Sequence, residues 1–132
     1  MSRKTLFAYL GTLLAFLVLD GLWLGVFMGP TYKGLLGPLM LDQPNLLPAV
    51  LFYLLYVTGC VVFVVLPSSS WRRAARLGAF LGLVAYGTYD LSNWATLHGW
   101  SAGLSAMDMA WGTFLTAVSC TVGHLCAHRV HR

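Results

Sequence analysis

The sequence predicts an all-α protein, a four-helix transmembrane bundle, from three observations. Of its 132 residues 58% are hydrophobic and 9% charged, and the mean hydropathy is +0.75, well outside the range of soluble domains. Four apolar runs are each close to the ~20 residues that cross a hydrocarbon core. The basic residues collect at the ends of those runs, largely on one side. Nothing is left over for a separate soluble domain, so residues 1–132 read as one integral membrane domain.

The first span is expected over about 5–28. Ser2, Arg3 and Lys4 before an apolar run resemble the start of a secretory signal. A signal core is only about 7–15 residues and ends at a small-residue cleavage site, so the longer run here is read as a retained helix. Gly29, Pro30, Gly34, Gly37, Pro38, Pro44 and Pro48 then break any continuous helix. The greasy stretch 32–41 within that insert is expected to hug the membrane interface, the alternative being a lid over the bundle.

The second span is expected over 49–66, stopping at Pro67, and a polar turn with Trp71, Arg72, Arg73 and Arg76 leads to the third, over 74–97. A short loop with Gly99, Trp100 and Ser101 leads to the fourth, over 104–127. Short connections make sequence neighbours antiparallel. Arg3, Lys4, Arg72, Arg73, Arg76, Arg129 and Arg132 then share one side and Lys33 alone the other, which predicts cytoplasmic N- and C-termini and a multi-pass protein of the bacterial inner membrane. Trp23 and Trp100 at the outer boundary and Trp71 at the inner one fit aromatic anchors.

Charge and cysteine usage exclude other classes. The net charge of +4 suggests a nucleic-acid partner, but its basic residues are those that topology places at helix ends, so nucleic acid is set aside. Cys60, Cys120 and Cys126 all fall within spans and read as buried thiols. No nucleotide loop, HExxH, nucleophile elbow or CxxC is present. Cys120, His124 and His128 repeat at i+4 steps, a spacing that suits a metal; with no second cluster to complete a shell, the helix dipole explains the histidines better.

The informative stretch is 86–101, YGTYDLSNWATLHGWS, which puts an acid, an amide and two phenols inside an apolar run. A carboxylate at the centre of a span costs about 2.5–3.5 kcal/mol on insertion scales, so such acids face a protein interior or a watery hollow. Of the four acids, only Asp42 is in a loop. Asp20 and Asp90 lie roughly 23 Å along their helices. Asp108 follows the outer start of the fourth helix by about one turn. All three therefore share an outer depth. Tyr86, Asp90 and Asn93 form one stripe with Tyr89 and Thr96 beside it, and Asp108, Gly112, Thr116 and Ser119 form another. Tyr53 and Tyr56 on the second helix could complete the lining, and Gly78 and Gly82 permit close helix approach.

These residues resemble the DUF2177 family of small bacterial membrane proteins. The likeness is carried by Leu19, Asp20, Trp23, Leu24 and Gly25; by Tyr32, Leu36 and Gly37; and by Phe52, Tyr53, Tyr56, Gly59, Phe63 and Pro67. Its most specific part is Tyr86 to Leu91, then Asn93, Ala95, Thr96, Leu97, Trp100 and Ser101, followed by Asp108, Trp111, Gly112 and Leu115. Ser92 stands where the pattern leads one to expect threonine. The resemblance spans nearly the whole chain and implies a compact multi-span inner-membrane protein, without implying an activity or a cofactor.

The leading expectation is an outward-facing polar cavity lined by Asp20, Tyr53, Tyr56, Tyr86, Tyr89, Asp90, Asn93, Thr96 and Asp108, binding or moving a cation, proton or small polar ligand as a transporter would. Four spans make a thin pathway, which a homodimer would thicken. Two other classes stay open: an enzyme acting on a lipid-borne substrate, with Asp90 and Asp108 as acid and base, and a non-catalytic subunit of a membrane complex.

Overall fold

The computed structural model describes residues 2–23, 25 and 46–130. Four helices account for nearly all of them: α1 (Arg3–Leu22), α2 (Leu46–Cys60), α3 (Trp71–Thr96) and α4 (Ala102–Val130). No strand occurs among the described residues. The insert between the first two spans, with Lys33 and Asp42, lies outside the described residues up to Asn45.

Serine starts three of the helices. An N-cap hydroxyl takes up an amide N–H that the first helical turn leaves without a partner, for about 1 kcal/mol each. Ser2 accepts from Thr5 at 3.1 Å, Ser70 from Arg73 at 3.1 Å and Ser101 from Leu104 at 3.0 Å. The Ser70 cap starts α3 before the polar turn expected from the sequence ends, so Trp71, Arg72, Arg73 and Arg76 are helical. Pro48 likewise belongs to the first turn of α2, where the absent N–H would have had no partner anyway.

After Cys60 the second helix widens into a π-helical turn, Val61–Val65, closed by a bond from the Leu66 N–H to the Val61 carbonyl at 3.0 Å. Pro67 follows. It offers no N–H and its ring crowds the carbonyl four residues back, so the helix ends there.

Helix α4 is the axis of the bundle, with α3 along one side and α1 along another, while α2 packs more lightly at the edge. The α3/α4 contact is close because both helices lack side chains at the crossing. A methyl group on Gly82 would collide with the Gly112 carbonyl and, at 2.8 Å, with the Thr116 hydroxyl. One on Gly112 would enter the ring of Tyr86. On the α1 side, Gly123 lies against Thr12 and Ala8.

The distribution of polarity is inverted relative to a soluble bundle. Leu14 of α1 is 65% exposed, Leu55 and Phe63 of the second helix 75% and 70%, and Phe80 of α3 65%. Inside lie Thr12, Asp20, Asp90, Ser105, Asp108, Thr116, Ser119 and His124. Water as the surrounding solvent would favour the opposite arrangement. Arg3–Leu22 and Leu46–Val65 are each long and apolar enough to cross a membrane. Helices α3 and α4 are longer, about 39 and 44 Å at 1.5 Å per residue. They are also more polar, because it is their inward faces that carry the acids and hydroxyls.

Candidate functional site

The buried face of α3 follows the i+4 series Ala74, Gly78 and Gly82, continued by the half-buried Tyr86 and by Gly87 and Asp90, and its small residues let the helix lie close on α4. Asp90 stands at its end and is 0% exposed. Neither of its carboxyl oxygens has a hydrogen-bond donor among the described residues. What lies beside it is a second acid: the Asp108 carboxyl of α4 is within hydrogen-bonding reach.

The third acid joins from α1. Asp20 is 7% exposed and accepts a hydrogen bond from the Tyr53 hydroxyl at 2.6 Å. Asp108 faces it across the α1/α4 contact, and the Trp111 indole, one turn beyond Asp108, lies alongside. The Trp111 N–H approaches Asp20 without completing a hydrogen bond. Trp23 stacks on Trp111 at 4.4 Å with the rings 7° from parallel, closing the cluster on the α1 side.

Tyrosines separate the acids from the rest of the interior. Tyr86 occupies the space over Gly112, and Tyr56 meets it edge-on at 6.1 Å while its hydroxyl pairs with that of Thr116 at 2.8 Å. Phe16 supports both α2 phenols, its ring 5.5 Å from Tyr53 and 5.3 Å from Tyr56. The loop at the other side of Asp90 is tied down by a short chain: the Trp100 indole donates to Ser105 at 3.0 Å, and Ser105 donates to the Asp90 backbone carbonyl at 3.3 Å.

The nine residues expected from the sequence therefore divide. Asp20, Tyr53, Asp90 and Asp108 meet, with Tyr56 and Tyr86 bordering them. Tyr89 is 56% exposed, packs edge-on against Trp100 at 5.7 Å and reaches Asn93, which is half-buried. Thr96 turns outward and donates to the Ser92 carbonyl of its own helix at 2.8 Å, so it takes no part in the cluster. Trp100, expected as an interfacial anchor, is instead 8% exposed and bonded inward. Trp111 and Ser105 were not among the expected site residues. Trp111 falls three residues after Asp108, on the same helical face and within the same run of family-like residues, and both signals pointed to it.

A hollow of about 430 Å³ opens at the far end of α4, lined by Val122, Leu125, Cys126, His128 and Arg129, away from the acids. The Cys120, His124, His128 stripe separates in space. Cys120 turns to Cys60 of α2, whereas His124 is buried with its ring 4.1 Å from that of His128. Among the described residues no three His, Cys, Asp or Glu side chains converge as a metal site, and the acid cluster is no exception.

Comparison with known proteins agrees with this architecture. A family model described as a predicted membrane protein (DUF2177) matches residues 5–125. No curated protein and no solved structure matches the chain. The match takes in all four helices and every acid of the cluster: the chain belongs to the DUF2177 family of membrane proteins.

Proposed function

We propose that this protein is a multi-pass protein of the bacterial inner membrane, with both termini in the cytoplasm, and that it binds a proton within the membrane at the Asp90–Asp108 carboxyl pair. The observation that carries this is the environment of Asp90, wholly buried, with two carboxyl oxygens that meet no donor and an acid for a neighbour. Two carboxylates side by side in apolar surroundings repel one another and lack solvation; a cation held between them removes both penalties. A metal ion would need a shell of converging ligands, and the described residues supply none, whereas a proton needs only the two facing oxygens.

Asp20 has a different role in this reading. Tyr53 already donates to it, and it sits across the α1/α4 contact from Asp108. Acids brought to a similar depth by three of the four helices also suit a transporter or channel better than a lipid-acting enzyme, since the cluster is enclosed by aromatic rings rather than open to a lipid tail.

Infrared spectroscopy of the protein in lipid tests the proposal. The expected result is a protonated-carboxyl stretch at neutral pH that is lost in Asp90→Asn or in Asp108→Asn. A wild-type spectrum without that band, or one unchanged in both variants, would overturn it.

A further inference from the structure

We infer that the carboxyl pair is one end of a proton path that follows α4 to His124 and His128, so that the protein conducts protons across the membrane. The inference rests on the proton site proposed above, and it uses residues that site leaves unexplained.

The first support is distance. From Asp108 to His128, α4 rises about 30 Å, the thickness of a hydrocarbon core. The second is continuity. Between these ends one face of α4 carries, at i+4 steps, Gly112 with Tyr86 over it, Thr116 hydrogen-bonded to Tyr56, Cys120 and His124, with Ser119 beside the line three residues after Thr116. Thr116 and Ser119 are 0% exposed and His124 4%, so this polar line runs through the interior and not along the lipid face. Side chains three or four positions apart on a helix are neighbours, about 5–6 Å between Cβ atoms, which a hydroxyl rotation or one water spans.

The third support is where hydrogen bonds are missing. Asp90 Oδ1 and Oδ2, Ser119 Oγ and His124 Nδ1 are all buried without a partner among the described residues. Native interiors leave few such atoms, and each calls for an explanation. Of the six such atoms among the described residues these four fall at the start, middle and end of the path, and the other two are the indole nitrogens of Trp23 and Trp111 beside the acids. Groups that pass a proton have to be free to bond first to one neighbour and then to the next, which fully satisfied groups are not.

His124 has the geometry of a relay. It lies beside the backbone carbonyl of Val65 and its Nδ1 is buried without a partner among the described residues, so in the neutral ring with its hydrogen on the other nitrogen Nδ1 offers a lone pair. A proton arriving at Nδ1 is matched by one released from the other nitrogen, and a ring turn restores the starting tautomer with no net change. The released proton passes to His128, whose ring is 4.1 Å away and which is exposed. The other titratable group facing His124 is Lys4 of α1. At the opposite end the groups facing the pair are Asp20 of α1 and Tyr86 and Tyr89 of α3.

The test is proton flux into phospholipid vesicles holding the full chain and a trapped pH dye, driven by a potassium gradient with valinomycin. Wild type should exceed protein-free vesicles, and Asp90→Asn and His124→Phe should each cut the excess at least about tenfold. Leu91→Ala, on the outer face of α3, should leave it unchanged. His124→Phe should also keep the protonated-carboxyl infrared band, because the relay is broken while the proton site remains. Ser119→Ala, the smaller change, should slow flux at an unchanged unfolding temperature, which separates a broken path from a broken fold. Wild-type flux equal to that of empty vesicles with the band present overturns conduction and leaves the proton site standing; loss of the band overturns both. Full flux in both His124→Phe and Ser119→Ala overturns this path.

Discussion

Tyr53 of the second helix donates its phenolic hydrogen to Asp20 of the first across 2.6 Å, and this bond is what ties the lightly packed α2 to the acids of the core. A carboxyl group with only 7% exposure depends on such a donor, since its remaining neighbours are another acid and an indole that does not complete a hydrogen bond. Tyr53→Phe keeps the ring against Phe16 and removes the donor. It should destabilise the protein by about 1–3 kcal/mol, read as a lower unfolding temperature in detergent. Adding Asp20→Asn to it should recover part of the loss, because the group left without its donor is then neutral.

Gly112 is the second sensitive position. Alanine there places a methyl group in the Tyr86 ring and forces either the ring or α3 to move. The cost should be about 1–3 kcal/mol, the range for overpacking a filled interior. Tyr86→Ala in the same chain should make the two changes less than additive, since the clash disappears with the ring. Additive losses would show that Tyr86 does not lie over Gly112.

The chain from Trp100 through Ser105 to the Asp90 carbonyl holds the α3–α4 loop over the acids. Ser105→Ala removes both of its bonds and should cost about 1 kcal/mol. Amide exchange at the start of α4 should quicken, with little change near His124. Uniform quickening along α4 would contradict a local role.

How much of this was legible in the sequence depends on whether a contact lies along a helix or between helices. Depth is a matter of counting residues, so three acids at one level could be read from their positions. The glycines that allow close approach could be read from the Gly78, Gly82 spacing. Facing is different. Asn93 shares the stripe of Asp90 on a helical wheel and Thr96 lies beside it, yet Thr96 turns outward and its hydroxyl returns to its own backbone. The stacking of Trp23 on Trp111 and the approach of His124 to Val65 join segments far apart in the chain, and no local pattern announces them. Trp100 shows the same limit: an indole in a loop suggests an interfacial anchor, and only the loop's return path turns it inward.

Topology gives an independent prediction. The proposed orientation, with both termini cytoplasmic, puts the loop after α3 in the periplasm and the turn before it in the cytoplasm. His98 and Ser69 are both exposed in those two segments. In intact cells an impermeant maleimide should label His98→Cys and spare Ser69→Cys until the membrane is opened. The reverse pattern would invert the orientation.

The convergence of acids from separate helices is tested most directly by paired cysteines in a chain whose Cys60, Cys120 and Cys126 have been replaced. Asp90→Cys with Asp108→Cys, and Asp20→Cys with Asp108→Cys, should each be joined by a short thiol-specific cross-linker in native membranes. The control pair, Leu91→Cys with Phe114→Cys on the outer surface, should not be joined. Failure of both acid pairs under conditions that modify each cysteine singly would contradict the shared cluster.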